Sequence, residues 1–288
     1  MCSPSTTGKS TWPRADPTRP DMFDAYSILA AVAVVTTKVW LGPGFTPLVY
    51  YNPGRLARTI ATIDHISNGR FILGAGVAAN RDEEWKAYNM EYYAFNKRFR
   101  MMQESIRLMK KLWTVDGSIT FKGKYYKVTN APAWPKPVQK PYPPIWYGGS
   151  GPTILEEIGK NGDGWGPTGI GTRLSPVAYT EKMNQIKSFA KQAGRDSGRI
   201  VFSGHAIISM EKTADRAFEV MKAYRGGQDI PEEETKNSII GTTDDCITGI
   251  ERYAKAGLNH MVLNPYPHPD DLTAWFIAFK EKIIPYFK

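Results

Sequence analysis

The sequence predicts an α/β fold with a parallel sheet or barrel. Three observations lead there. Short apolar strands alternate with helical stretches along most of the chain. Glycines follow several of those strands, at Gly42-Pro43-Gly44, Gly74-Ala75-Gly76 and Gly148 to Gly151. The 288 residues fit one large α/β barrel or two smaller domains. In barrels of this kind the chemistry sits at the carboxyl ends of the strands, so the glycine-bearing strand ends are where function is sought.

The elements follow in order. Met1 to Pro20 is an irregular segment punctuated by Pro4, Pro13, Pro17 and Pro20. Asp21 is a candidate cap for an Ala/Val-rich helix over Met22 to Thr37. Lys38 to Leu41 reads as a strand. A helix covers Pro53 to Ile66, ends in the Ser67-Asn68-Gly69 turn, and leads into a strand over Arg70 to Leu73. A long helix spans Phe95 to Leu112, and a hairpin spans Ser118 to Val128 within an insertion at about 115–143. Strand Ile145 to Tyr147 precedes a helix from Pro152 to Lys160, and a short strand surrounds Trp165. Then come a helix over Val177 to Ala193, a strand over Ile200 to Met210, and helices over Thr213 to Tyr224 and Thr243 to Ala256. A last strand, His260 to Leu263, and a helix from Leu272 to Pro285 close the chain. Strands alternating with helices over 21–288 imply a parallel sheet or barrel.

Composition narrows the function. The longest apolar run, Ile28 to Val35, is far short of the roughly 20 residues a membrane helix needs. The first twenty residues hold no apolar block, so no secretory signal is expected. Cys2 and Cys246 form no metal-ligand cluster, so a reduced, cytoplasmic setting is expected. The net charge of +9 is scattered rather than blocked. It reads as a solvated surface or as attraction for an anionic cofactor or substrate. No nucleic-acid-binding signature is present.

The segment WYGGSGPTILEEIG carries the best anion site: glycines open a helix whose first position is Pro152. The alternative is an ordinary strand-to-helix turn. Leu41 to Pro47, LGPGFTP, has an unusual backbone or is a plain turn. Thr7-Gly8-Lys9-Ser10 imitates the end of a phosphate loop, but no strand precedes it and Ser3 stands where a glycine is needed. Of the four histidines, His65 and His260 sit at amino ends of strands and read as structural. His205 lies inside a strand and His268 follows the last one. No metal constellation is found, and no catalytic residue is assigned.

ATIDHISNGRFILGAG, RFRMMQESIRLMKKLW, FKGKYYKV, PPIWYGGSGP and GDGWGP occur in the order typical of the luciferase-like superfamily of flavin monooxygenases and coenzyme F420 enzymes. The chain resembles that superfamily over about Asp21 to Lys288. Its LGPGFTP segment is most similar to the F420 branch, which includes methylene-tetrahydromethanopterin reductase and a glucose-6-phosphate dehydrogenase. The resemblance implies a (β/α)8 barrel with coenzyme F420 at the carboxyl ends of the strands, FMN being the alternative. It implies a non-prolyl cis peptide at Gly44-Phe45 behind the deazaflavin ring. It also implies a loop contact at Gly76, Val77 and Asn80, a phosphate turn at Gly148, Gly149, Ser150 and Gly151, and pocket residues Trp165 and Thr168. The activity implied is hydride transfer between F420 and a small organic substrate, in a homo-oligomer, expected to be a dimer.

The chain departs from the pattern at its start. The superfamily begins with two strands, the second ending in an Asp-His or similar pair; here Lys38 to Leu41 matches the third. About six strands are legible where eight are implied. The expectation is a barrel lacking its first two strands, whose natural start lies about forty residues upstream, the size of one βαβ unit. The alternatives are an FMN-dependent monooxygenase and a truncated, non-catalytic cofactor-binding barrel.

Overall fold

A computed structural model describes residues 23–78, 82–170, 174–224, 226–265 and 272–287. Met1 to Pro20, Asn80 and His268 lie outside the described residues. In chain order the first half contains α1 (Ala25–Val35), β1 (Thr46–Pro47), α2 (Pro53–Ile66), β2 (Leu73–Gly76), α3 (Asp82–Ala87) and α4 (Phe95–Thr114). It continues with β3 (Ser118–Lys122), β4 (Lys127–Pro132), β5 (Ile145–Tyr147) and α5 (Pro152–Asn161). The second half contains β6 (Gly164–Trp165), β7 (Thr168–Ile170), α6 (Pro176–Gln192), β8 (Val201–Met210), α7 (Ala214–Tyr224) and α8 (Glu232–Asn237). Last come β9 (Ile239–Gly241), α9 (Thr243–Lys255), β10 (His260–Pro265) and α10 (Leu272–Lys282).

One sheet runs β1-β2-β5-β6-β8-β10, with β7 and β9 also pairing β8, and each of these pairings is parallel. Parallel neighbours need crossover helices, which here lie between successive strands. Among the described residues β1 and β10 are edges that do not pair with each other. The hairpin β3-β4 forms a separate antiparallel pair, as an insertion should. Its tip is anchored by the Glu104 carboxylate of α4, which accepts the backbone N–H groups of Lys124, Tyr125 and Tyr126 at 2.7–3.0 Å.

The core forms where helix stripes meet the sheet. On α4, Met102, Ile106, Met109 and Trp113 recur at helical spacing and are buried. The Trp113 indole donates to the Ala57 carbonyl of α2 at 3.0 Å, locking the two helices together. Leu73, Ile145, Tyr147 and Trp165 fill the sheet side with no exposure.

Several local expectations are corrected. The cap of α1 is Asp24, which accepts the Ser27 amide at 2.8 Å, rather than Asp21. Lys38 to Leu41 is not a strand: Leu41 alone bridges Phe71, and ladder pairing begins at Thr46. Pro43 has no N–H to give a ladder between Leu41 and Thr46. The Arg70 guanidinium donates to the carbonyls of Ala33, Thr36 and Val39 at 2.6–3.1 Å and so holds the end of α1, while its backbone carbonyl accepts the Leu41 amide at 2.9 Å in the isolated bridge. The following strand accordingly starts at Leu73. His65 belongs to the last turn of α2, and its ring pairs with the Lys136 carbonyl at 2.7 Å. The hairpin runs to Pro132, beyond the expected Val128. Strands β7 and β9 and helix α8 are additions, each too short for a periodic signal.

Candidate cofactor site

The site is built around a side chain that sequence reading treated as backbone. The Gly44–Phe45 peptide is cis. It delivers the Phe45 ring into the middle of the strand ends. A Cβ on Gly148 would meet the ring at 2.7 Å, one on Gly166 at 2.7 Å, and one on Gly74 at 3.0 Å. These glycines are the residue after β5, the residue after β6, and the second residue of β2. Their missing side chains leave the space that the ring fills. Gly44 itself is pressed against His205 of β8, whose Cε1 lies 2.7 Å from a Cβ there. The Phe45 and His205 rings lie 5.2 Å apart at 49°. Phe45 thus forms an apolar floor packed against β2, β8 and the residues that follow β5 and β6.

One wall is the loop after β2. Gly76, Val77 and Ala78 are half-buried, and Ala78 adopts a φ of 68°. Arg98, buried to 1% exposure on α4, donates to the Val77 and Ala78 carbonyls at 3.2 and 3.1 Å. Its guanidinium also lies over the Tyr92 ring, 5.0 Å from the centroid. Sequence reading missed Arg98. The available signal was a cation on the apolar stripe of α4 between Phe95 and Met102.

Beside it, after the neighbouring strand β5, lies the turn that opens α5. The Gly148 amide still serves the sheet, donating to the Ala75 carbonyl at 3.0 Å. Gly149 has a φ of 103°, which glycine adopts freely and L-residues rarely do. Gly151 is the cap residue of α5 and offers no side-chain acceptor. Among the described residues, the amides of Gly149, Ser150 and Gly151 donate to no protein group. Consecutive free N–H groups at the exposed start of a 10-residue helix have the chemistry to receive an anion.

The remaining residues divide by exposure. Thr168 of β7 is exposed beside His205 in register. Trp165 has no exposed surface: its ring stacks on Tyr179 at 4.8 Å, and its indole donates to the Gly149 carbonyl at 2.8 Å. It therefore reaches the site through the turn. His205 is half-buried, and burial together with the nearby His260 pushes its pKa down. Cys246 is wholly buried, and burial with the adjacent Asp245 raises its thiol pKa to about 12, so it is no nucleophile. Among the described residues no group of three or more His, Cys, Asp or Glu could hold a metal ion, and no helix is long and apolar enough to cross a membrane.

Comparison with known proteins places this geometry in context. Residues 7–237 match the model of a family described as luciferase-like monooxygenase. An F420-dependent glucose-6-phosphate dehydrogenase of Amycolatopsis mediterranei (strain U-32) is 29% identical, over 91% of this chain and 83% of the relative. A solved F420-dependent secondary alcohol dehydrogenase, in complex with an F420–acetone adduct, shares the fold at a TM-score of 0.77 and 24% identity. The match covers 91% of this chain and 83% of that one. A monooxygenase from Streptomyces bottropensis shares it at 0.78 and 19%, covering 92% and 83%.

Proposed function

The chain belongs to the luciferase-like monooxygenase family, and on that premise we propose that it is an oxidoreductase using coenzyme F420 to transfer hydride to or from a small organic substrate. The observation that carries the reading is the trio of free amides at Gly149, Ser150 and Gly151, which directly follow the Gly148 that packs against the Phe45 ring of the cis Gly44–Phe45 peptide. A cofactor with a ring, a phosphodiester and an acidic tail finds one feature for each. The amides and the start of α5 fit the phosphate. Phe45, Gly44 and the Val77 loop fit a flat ring. The net charge of +9 suits an acidic tail. The curated relatives, named as F420-dependent dehydrogenases, support the same choice.

When bound, the deazaflavin supplies hydride chemistry, and the protein supplies position and shielding. Gly44 and Phe45 would hold one face of the ring and keep water from it. Val77 would border its edge, held by Arg98. The free amides of Gly149, Ser150 and Gly151 would fix the phosphate, with Gly148 holding the turn to the sheet, and Thr168, the exposed hydroxyl on β7, would offer a hydrogen bond beside the ring. His205 is half-buried beneath Gly44, so its role is to support the floor. The substrate is taken to be a small molecule, and a dimer in the cytoplasm is the expected setting.

The second reading is an FMN-dependent monooxygenase, favoured by the fold shared with the Streptomyces monooxygenase. FMN carries a phosphate that could use the same turn. Titration of the purified protein with F420 and with FMN, followed by ring fluorescence, separates the two. F420 binding at micromolar concentration with weak FMN binding is expected. Tight FMN binding without F420 binding would reverse the assignment.

A further inference from the structure

Two consecutive carbonyls of the glycine turn are tied down from behind. The Gly149 carbonyl accepts the Trp165 indole N–H at 2.8 Å. The Ser150 carbonyl accepts the Lys182 ammonium of α6 at 3.1 Å. Neither peptide is cis, so each carbonyl points opposite to the N–H of its own peptide unit. Pulling the carbonyls of Gly149 and Ser150 toward the protein body therefore turns the amides of Ser150 and Gly151 outward. Those are two of the three amides with no protein acceptor among the described residues.

The placement of Lys182 follows from helix packing. A Cβ on Gly159 of α5 would meet Phe189 Cβ at 2.5 Å and the Ala190 nitrogen at 2.9 Å. That glycine lets α6 lie against α5 and brings its amino-terminal half under the turn. Among the described residues Lys182 makes no ion pair, and the Ser150 carbonyl is its polar partner. A half-buried ammonium without a carboxylate leaves its charge to act through the turn.

We propose that Lys182 is the positioning residue and the fixed positive charge of the anion turn, with Trp165 as its neutral counterpart, and that together they select ligands carrying a phosphate ester. This deepens the F420 reading and rests on it. Lysine supplies charge and one bond to Ser150; tryptophan supplies one bond to Gly149 and no charge. The two contributions are therefore separable.

The test is equilibrium binding of two probes to the full chain: F420, and the deazaflavin–ribityl fragment that lacks the phosphate. Lys182→Met should weaken F420 about tenfold and leave the fragment unchanged. Its F420 affinity should also fall less steeply with added salt, because a charge has been removed. Lys182→Arg should restore both affinity and salt dependence. Trp165→Phe should weaken F420 selectively while keeping the wild-type salt dependence. Equal weakening of both probes in Lys182→Met, or no weakening of F420, overturns the proposal while wild-type binding stands. Failure of the wild type to bind F420 or FMN overturns the functional reading, and this inference with it.

Discussion

The Phe45 ring lies so close to Gly148 that a Cβ there would come within 2.7 Å of its Cδ2. Gly148 also donates to the Ala75 carbonyl, so its backbone cannot retreat without giving up a sheet bond. The glycine is required by a side chain of this chain, delivered through the cis Gly44–Phe45 peptide. Ring floor and strand ends form one packed unit.

Gly148→Ala should therefore destabilise the protein by about 1–3 kcal/mol, the usual cost of overpacking a filled site. Its melting temperature should fall, and cofactor affinity should fall with it as Phe45 is displaced. Phe45→Ala added to Gly148→Ala should recover part of the loss. A double-mutant cycle measured by thermal denaturation should give a coupling of about 1 kcal/mol or more, as expected for residues in contact. Purely additive effects would show that Phe45 does not occupy this space in solution.

This relationship also marks what the sequence could convey. The helix Pro53–Ile66, the strand Ile145–Tyr147 and the turn at Gly148 to Gly151 were legible because periodicity, proline and glycine are local signals. The cis bond at Gly44–Phe45 came from resemblance alone. The occupant of the space between the glycines was not legible, because it joins residues from four places in the chain. Arg70 illustrates the same limit: beside an apolar run it reads as a strand start, yet its donors reach back to α1 more than thirty residues away. Arg98 and Lys182 escaped notice for this reason as well. A lone cation on a helix has a solvated face as its default reading, and only tertiary contact reveals its carbonyl partners.

The anion turn can be tested without disturbing the backbone. Gly149 is a poor site for this, since its φ of 103° strains any side chain. Gly151 is better: its φ is −75°, and a Cβ there meets nothing within 4 Å. Gly151→Asp would supply the side-chain cap that α5 lacks, for which a stabilisation of about 0.5–1 kcal/mol is expected. The same carboxylate would repel a phosphate and compete for the turn amides. A higher melting temperature with F420 affinity reduced at least tenfold is the expected outcome. Undiminished affinity would show that the phosphate binds elsewhere.

Arg98 joins stability to the shape of the pocket wall. Its two bonds to the carbonyls of Val77 and Ala78 are formed at 1% exposure. Arg98→Met keeps the bulk but leaves those carbonyls without their charged donor. A loss of about 2–4 kcal/mol is expected from unsatisfied buried acceptors. The urea midpoint reports this loss, and the Kd for the phosphate-free deazaflavin fragment reports the loosened wall. Since Arg98 acts here through its bonds to the Val77 loop, the fragment should weaken as much as F420 does. A selective loss for F420 would place Arg98 at the phosphate instead.

Acid sensitivity should begin at the histidine pair. His205 is held below its ordinary pKa of 6.5 by burial and by the like charge of His260. His260 is held below the same value by burial. Folding thus keeps both rings neutral, while the unfolded chain protonates them as pH falls through about 6.5. Over that range the unfolded state binds more protons, so stability must decline toward acid. The decline stops once the folded-state values are passed, because both states are then protonated. Glu104 acts lower on the scale: burial raises its pKa, but three backbone donors outweigh that and hold it below the ordinary carboxylate value. Its contribution is present above the unfolded carboxylate pKa and lost as pH drops through the folded one. Urea midpoints between about pH 7.5 and pH 5 isolate the histidines from the carboxylates. His205→Gln should flatten the wild-type decline in that window, and His260→Gln should flatten it further when combined. The His205 proton also sits next to Gly44 and Phe45, so acid should weaken ring binding in step with stability. A variant lacking both histidines that declines as steeply as the wild type would assign the acid sensitivity to other groups.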